Sequence, residues 1–195
     1  MQNWWRSSLW PQTRLPWVLP SPNMPTVDTA MVYPGMVLLE ATNMSEGRGT
    51  TRPFEISGAP YVNSRSLIQS LSKQKLSGCL FREHGFIPTF QKWQGQYCNG
   101  FQIHVTSASD FYPVLTTVAV LKAVLNDSSG KFMFKEPPYE YETVKMPFDI
   151  LSGDSSLREA LLDNKPLAEI KAQWQQSYKP YLDLFNSVAH YPEHI

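Results

Sequence analysis

The sequence predicts an α/β (α+β) fold in which a mixed sheet is flanked by helices. Three observations indicate this class. Apolar residues make up 42% of the 195 residues and charged residues only 17%, which is typical of a chain with a buried core. In GFQIHVT at 100–106, Phe101, Ile103 and Val105 alternate with polar residues, as in a half-buried strand. In SRSLIQSLSKQ at 64–74, apolar residues recur at the spacing of an amphipathic helix.

The N-terminal part of the chain combines aromatic, proline-rich and apolar stretches. Residues 1–25 contain four tryptophans, and their prolines exclude a long helix, although WVL at 17–19 is predicted to form a short buried strand. A short helix is predicted over 23–35, with Asn23 as its cap and a Pro-Gly pair at its end. The compact apolar run MVLLE at 36–40 is predicted to be a second buried strand.

Helices account for most of the predictions in the remaining residues. The strongest helix is predicted within 111–130, where Val118, Leu121 and Leu125 form an apolar stripe that we assign to the core. The last helix is expected to bend or end near Pro180, because a proline inside a helix removes a backbone hydrogen bond. A further strand is predicted at 79–90, and further helices at 148–153, 154–164 and 166–185.

Composition and motifs argue against several classes of function. The 17 basic and 17 acidic residues give no net charge, so no long-range field draws the protein to nucleic acid or to an anionic membrane. The sequence has no CxxC or HExxH pattern, and we expect neither a metal nor a cofactor. It has no run approaching the ~20 apolar residues of a membrane span, and its start lacks the features of an export signal. Cys79 and Cys98 are expected to be free thiols, with a disulfide as the alternative.

The segment NMSEGRGTTRPFE at 43–55, which we call the charged loop, concentrates charge in a chain that has little. Glu46, Arg48, Arg52 and Glu55 lie within ten residues of sequence, among glycines and threonines. The loop follows an apolar run, and loops after buried strands are common positions for ligand sites in α/β proteins. The alternative is an ion-pair network that fastens the loop. GRGTT lacks the lysine and the spacing of a phosphate-binding loop, which argues against nucleotide binding.

Four longer stretches of the sequence carry a resemblance to a bacterial family. They are LPWVLPSPNMPTVDTAMVYPG, EATNMSEGRGTTRPFEISGAP, FIPTFQKWQGQYCNGFQIHVT and FDILSGDSSLREAL, and together they extend over nearly the whole chain. In these stretches the chain resembles the exo-β-N-acetylmuramidases of peptidoglycan. The resemblance implies a longer enzyme with a Rossmann-like N-terminal half, a smaller α/β C-terminal half and a substrate cleft between them.

The resemblance also implies a function and a position within that enzyme. Such enzymes release N-acetylmuramic acid from the non-reducing end of peptidoglycan chains, so an extracellular or periplasmic location is expected. Residues 1–50 correspond to a remnant of the N-terminal domain, and residues 51–195 correspond to the C-terminal α/β domain. The segment expected to hold the principal catalytic carboxylates has no counterpart here, which leaves independent catalysis open. The expected partners are a peptidoglycan-derived muropeptide or disaccharide and either a separate N-terminal half or a second copy of the chain.

An acidic amino sugar as ligand suggests roles for the polar residues of the charged loop. The sugar carboxylate suits the planar guanidinium of Arg48 or Arg52. Glu46 is the candidate catalytic residue, because glycoside hydrolysis generally uses carboxylates, but it is also suited to bind a hydroxyl or to orient an arginine. Asn23 has the alternative role of a helix cap, and His104 that of a structural histidine. The remaining candidates for substrate binding are Asn23, Asn43, Thr50, Thr51 and His104.

Two functions other than a glycosidase are also consistent with the sequence. A non-catalytic carbohydrate-binding module is consistent with the aromatic residues Phe86, Phe90, Trp93 and Tyr97, whose rings suit either the apolar face of a sugar or the protein core. The other alternative is a truncated relic that self-associates through its tryptophan-rich start. Measurements of sugar release and of sugar binding separate these functions from a glycosidase.

Overall fold

A computed structural model describes residues 5–191, in which three β-strands pack beside six α-helices. Trp4, one of the four N-terminal tryptophans, lies outside the described residues. The α/β class is confirmed. The elements are β1 (Ile56–Ala59), β2 (Cys79–Phe86), β3 (Cys98–Val105), α1 (Val27–Met36), α2 (Ser64–Ser72), α3 (Pro113–Asp127), α4 (Pro147–Ser152), α5 (Ser156–Leu162) and α6 (Leu167–Val188), with 3₁₀ helices at Trp10–Thr13 and Val37–Ala41.

β3 lies between β1 and β2, and it pairs with both in the antiparallel direction. The loop 87–97 joins β2 to β3 as a hairpin, whereas α2 connects β1 to β2. β3 is therefore inserted between β1 and β2, and these two outer strands run in the same direction as each other. For this reason the sheet is antiparallel throughout the described strands, where we expected a mixed sheet.

One face of the sheet forms a wall of the hydrophobic core. Phe101 and Ile103 are buried, as their alternation predicts, and the rings of Phe81 and Phe101 meet edge to face at 5.4 Å. Burying each such apolar side chain contributes roughly 1.5–3 kcal/mol. The helices complete the same core with Met36, Leu67, Leu71, Val118, Leu121, Phe148 and Ile170. The core thus draws on residues from both sides of position 50, and the domain boundary at that position stays a prediction.

The start and the course of α1 differ from the prediction. Thr26, rather than Asn23, is the N-cap, because its hydroxyl accepts a hydrogen bond from the backbone of the first turn at 3.1 Å. Pro34 lies inside the helix and does not end it. Gly35 has a packing role, because α1 crosses α3 so closely that a Cβ at this position would lie 2.1 Å from the carbonyl oxygen of Pro113.

Two predicted strands are wrong. In MVLLE at 36–40, Met36 ends α1, and the other four residues form most of the 3₁₀ helix Val37–Ala41, which continues directly from α1. A short apolar run has no periodicity that distinguishes a strand from a buried helical turn. WVL at 17–19 is neither a strand nor buried, since Val18 and Leu19 are largely exposed.

The C-terminal helix is longer than expected. α6 continues through Pro180 as one helix to Val188, so the proline does not end it. Its first half packs on the core through the buried Ile170 and the partly buried Trp174, whereas its second half exposes apolar residues such as Leu184. None of the helices within residues 5–191 is long and apolar enough to cross a membrane.

Cys79 and Cys98 are buried free thiols, as the sequence predicts. Cys79 pairs with Val105 at one end of the β2–β3 hairpin, and Cys98 pairs with Phe86 at the other end. The strand length of about 23 Å, at 3.3 Å per residue, separates the two residues and excludes a disulfide. Burial raises the pKa of Cys98 to about 11, which keeps this thiol protonated and unreactive at neutral pH.

Candidate functional site

The charged loop folds back onto β1 through backbone hydrogen bonds. Ser45 N donates to Gly58 O at 2.8 Å, and Gly58 N donates to Ser45 O at 3.1 Å. Phe54 N donates to Glu46 O at 2.6 Å, which closes the loop into a compact turn. Gly47 is needed in this turn, because its φ is +76° and a Cβ would lie 2.3 Å from a backbone oxygen of β1.

Four charged side chains meet beside this turn, and we call them the ion-pair cluster: Glu40, Glu46, Arg48 and Lys92. Arg48 donates through Nη2 to Oε1 of Glu40 and through Nε to Oε1 of Glu46, the latter at 3.1 Å. Lys92 Nζ donates to Oε2 of Glu46 at 2.7 Å. The Glu46 side chain is only 3% exposed, and both of its oxygens accept hydrogen bonds from cations.

Lys92 connects the ion-pair cluster to the backbone. Besides Glu46, it donates to the carbonyl oxygens of Leu39 at 2.8 Å and Met44 at 2.9 Å, so all three ammonium protons have partners. Burial lowers the pKa of Lys92 to about 8, although the adjacent Glu46 carboxylate opposes this change. The sequence does not predict the role of Lys92, because a loop lysine normally faces solvent and its partner Glu46 lies 46 residues away.

Arg48 is enclosed by its partners. Its side chain is 22% exposed, and its guanidinium lies over the ring of Phe54 at 5.2 Å from the centroid. Burial lowers the pKa of Arg48, but the hydrogen bonds and negative charges of Glu40 and Glu46 outweigh burial and raise it. Tyr139 donates to Oε2 of Glu40 at 3.2 Å, and burial together with the Glu40 charge raises the pKa of Tyr139 to about 12. Both carboxylates that bind Arg48 are therefore held by further groups.

Arg52 lies in a different setting at the end of the same loop. Its partner Glu55 is buried and accepts hydrogen bonds from the hydroxyls of Thr26 at 2.9 Å and Thr29 at 2.7 Å. Arg52 Nη1 lies 3.4 and 3.5 Å from the two Glu55 oxygens, which is long for a charge-assisted hydrogen bond. The Arg52 side chain is 43% exposed. Nη1 is its only nitrogen that bonds to a described residue, so the other guanidinium donors can reach a ligand.

Two further candidates in the charged loop already have partners within the protein. Asn43 Nδ2 donates to the carbonyl oxygen of Lys131 at 2.8 Å, and its Oδ1 accepts from Tyr61 Oη at 2.5 Å and Met133 N at 3.1 Å. Thr50 donates to a backbone oxygen of its own turn at 2.6 Å. Both side chains thus stabilise the local structure, and their contact with a substrate stays a prediction.

The remaining candidates lie apart from the ion-pair cluster. Thr51 is exposed and precedes Arg52 directly. Asn23 is half-buried, three residues before the Thr26 hydroxyl that contacts Glu55. His104 is exposed on the face of β3 that points away from the core. The structure therefore brings Arg52 close to the segment that holds Asn23, and it leaves His104 on the outer face of the sheet.

The geometry of the ion-pair cluster is better suited to holding the loop than to proton transfer. A general acid or nucleophile must present a carboxyl oxygen to the glycosidic bond. Glu46 and Glu40 instead use all four carboxyl oxygens on Arg48, Lys92 and Tyr139. The catalytic role of Glu46 stays a prediction. Among the described residues, no group of three or more His, Cys, Asp or Glu side chains is placed to hold a metal ion.

Sequence comparison connects this chain to known proteins over most of its length. A family model described as the C-terminal part of the exo-β-N-acetylmuramidase NamZ matches residues 31–191. The chain is also 38% identical over 181 residues to the peptidoglycan β-N-acetylmuramidase NamZ of Bacillus subtilis (strain 168). That alignment covers 93% of this chain but 42% of the relative.

Two crystal structures of DUF1343 family proteins from Bacteroides fragilis NCTC 9343 share the fold. The structure solved at 1.65 Å resolution has a TM-score of 0.81 and 22% identity, and the match covers 96% of this chain and 48% of that one. The structure solved at 1.30 Å resolution has a TM-score of 0.59 and 21% identity, with coverages of 90% and 44%. At these identities the likeness establishes the fold alone. The chain spans less than half the length of each of these relatives.

Proposed function

This chain belongs to the family of NamZ exo-β-N-acetylmuramidase C-terminal domains, and on that premise we propose that it forms the substrate-positioning half of a peptidoglycan glycosidase. The enzyme would release N-acetylmuramic acid from the ends of peptidoglycan chains. The match of the family model to residues 31–191 is the observation that carries this proposal. Because the chain spans 42% of the Bacillus relative, we assign the principal catalytic carboxylates to a Rossmann-like N-terminal half of the enzyme.

The role that the geometry supports best for this half is binding of the sugar carboxylate by Arg52. N-acetylmuramic acid carries a lactyl carboxylate, which a guanidinium binds through two parallel N–H···O bonds. The buried Glu55, held by Thr26 and Thr29, touches Arg52 from one side through Nη1. This contact leaves the other donors of the guanidinium open to solvent. Thr51 and Asn23 then supply polar groups for the hydroxyl and acetamido substituents of the same sugar.

The ion-pair cluster serves this role indirectly. Glu46 and Lys92 tie the turn to the backbone of the 3₁₀ helix, and Arg48 ties it to Glu40. A turn fixed in this way keeps Arg52 in one position, which lowers the entropy that substrate binding must overcome. Glu46 is then a structural residue of the loop, and the general acid and the second carboxyl group of glycoside hydrolysis come from the N-terminal half.

The ligand, the cellular location and the protein partner that we propose follow from peptidoglycan as the substrate. The ligand is a peptidoglycan-derived disaccharide or muropeptide with N-acetylmuramic acid at its non-reducing end. Peptidoglycan lies outside the cytoplasmic membrane, so the enzyme acts in the periplasm or outside the cell. The protein partner is the N-terminal half, and a second copy of this chain is the alternative.

A release assay tests the proposal. The disaccharide N-acetylmuramyl-β-1,4-N-acetylglucosamine is incubated with this chain, with the N-terminal part of the Bacillus subtilis relative, and with both. We expect no release by either part alone and release of N-acetylmuramic acid by the mixture. A fusion of the two parts in the order of the relative serves as a second measurement if the separate parts fail to associate. A fusion protein that folds but releases no sugar would overturn the proposal.

A further inference from the structure

A polar depression lies beside the edge strand β2. It has a volume of about 470 Å³ and lies between the start of α2 and the end of the β2–β3 hairpin. We call it the Tyr97 pocket. Its residue Asn99 pairs with Ala59, the last residue of β1. Its lining includes Asn63, Arg65, Glu83, Gly85, Tyr97 and Asn99.

Tyr97 forms an exposed wall of this pocket and is held in place by a glycine. Its side chain is 59% exposed. A Cβ on Gly85 would lie 2.0 Å from Tyr97 Oη and 2.6 Å from its Cζ, so the phenol rests directly on a part of β2 that has no side chain. Such contact fixes a ring that is otherwise surrounded by solvent. A fixed aromatic ring at the wall of a polar pocket is suited to stack on the C–H-rich face of a pyranose.

The polar groups around Tyr97 are available, in contrast to those of the ion-pair cluster. Among the described residues, the side chains of Tyr97 and Asn99 have no hydrogen-bond partner. Asn63 uses its Oδ1 to accept from Ser66 N at 3.1 Å, which leaves its amide N–H groups for a ligand. Two carboxamides and a phenol provide donors and acceptors that match the hydroxyl and acetamido groups of an amino sugar.

The charge of the pocket favours an uncharged ligand. Arg65 and Glu83 lie on its wall at 4.0 Å from each other, and both side chains are largely exposed. Their charges balance. His84 also lines the pocket, but burial and the positive charge of Arg82 lower its pKa, which disfavours its charged form. The pocket therefore offers no excess positive charge for a phosphate or a carboxylate. An acidic muramyl residue therefore suits Arg52, and a neutral residue of the glycan suits the Tyr97 pocket.

We infer that the Tyr97 pocket is a second carbohydrate-binding site, which takes a neutral N-acetylated pyranose of a glycan chain. The stacking ring and the carboxamides indicate a pyranose glycan independently of the family. The choice of an N-acetylated glycan rests on the proposed function. The site has no part in bond cleavage, and it holds the polymer while its end is processed elsewhere.

Titration calorimetry with chitotetraose, a neutral N-acetylglucosamine oligomer, tests this inference on the chain itself. We expect binding by the wild-type chain and at least a tenfold loss of affinity for Tyr97→Ala. Gly85→Ala keeps the Tyr97 ring but displaces it, so this variant should also bind chitotetraose more weakly than the wild type. Tyr141→Ala, which removes a fully exposed tyrosine outside the pocket, is the matched control and should bind as the wild type does. Cellotetraose, which lacks acetamido groups, should bind more weakly than chitotetraose.

Two results would overturn the inference: no binding of chitotetraose by the wild-type chain, or unchanged affinity in a folded Tyr97→Ala protein. The thermal melting curve of each variant shows whether it is folded. The ligand carries no lactyl carboxylate, and the measurement needs no turnover. Loss of activity in the release assay and loss of binding at Tyr97 are therefore distinguishable outcomes.

Discussion

Arg48 and Arg52 lie four residues apart in the charged loop, yet they differ in what they offer to a ligand. Arg48 is 22% exposed and is bound by two carboxylates and an aromatic ring. Arg52 is 43% exposed and makes only long contacts to Glu55 through one nitrogen. The sequence contains the same residue type in the same loop, so the difference arises from how the chain folds around each arginine.

This difference shows that charge density in a loop has two separate uses. The ion-pair cluster fixes the turn, because Lys92 and Arg48 together use both oxygens of the buried Glu46. Arg52 carries the charge that remains accessible. A ligand can be recognised only by groups whose hydrogen-bonding capacity is not already used within the protein.

The largest effect is expected for Glu46→Ala. The change leaves the buried Lys92 ammonium and one side of Arg48 without a carboxylate, and breaking a buried pair in this way costs about 3–5 kcal/mol. The free energy of unfolding from urea denaturation measures the loss. Glu136→Ala, at an exposed glutamate, is the control and should change stability by less than about 0.5 kcal/mol. Equal stability of the two variants would contradict a structural role for the cluster.

A smaller effect is expected at the glycine of the turn. Gly47→Ala combines an unfavourable positive φ with a Cβ placed 2.3 Å from a backbone oxygen, so it should cost about 2 kcal/mol or more. Gly95→Ala is the matched control, because Gly95 also has a positive φ, of +72°, but a Cβ added there would have no described atom within 4 Å. It should cost about 1 kcal/mol from backbone strain alone. Similar losses for both variants would show that the turn tolerates displacement.

The smallest effect concerns the pH dependence that Lys92 introduces. Burial lowers its folded-state pKa to about 8 from an ordinary value of 10.5. Between these two values the unfolded chain binds more protons than the folded chain, so this group makes stability rise with pH. Relative to Lys92→Met, the wild type should gain on the order of 1 kcal/mol between about pH 8 and 9. Parallel stability curves for the two proteins would show that Lys92 titrates as an exposed lysine.

The elements that the sequence predicts best are those with a clear period. Leu67 and Leu71 recur at helical spacing in α2, and Phe101 and Ile103 alternate in β3, and all four are buried as expected. The strand β1 was missed, because its sequence ISGA is buried at every position and contains serine and glycine, which have little preference for strands.

The charged loop was identified from sequence as a concentration of charge, but the partners within it were not. Lys92 reaches the loop only through the tertiary fold, and nothing in its local sequence indicates burial. Thr26 and Thr29 likewise meet Glu55 only because α1 packs beside the start of β1. The sequence therefore indicated the candidate site, whereas the folded structure decides which of its arginines is accessible.

The most direct test of this account compares two ligands on three forms of the chain. Affinity for N-acetylmuramic acid and for N-acetylglucosamine, which lacks the lactyl carboxylate, is measured by calorimetry with the wild type, Arg52→Ala and Arg48→Ala. We expect the wild type to favour the acidic sugar by about 1.5–3 kcal/mol, Arg52→Ala to lose that preference, and folded Arg48→Ala to keep it. A preference that survives in Arg52→Ala, or that disappears only in Arg48→Ala, would contradict the account.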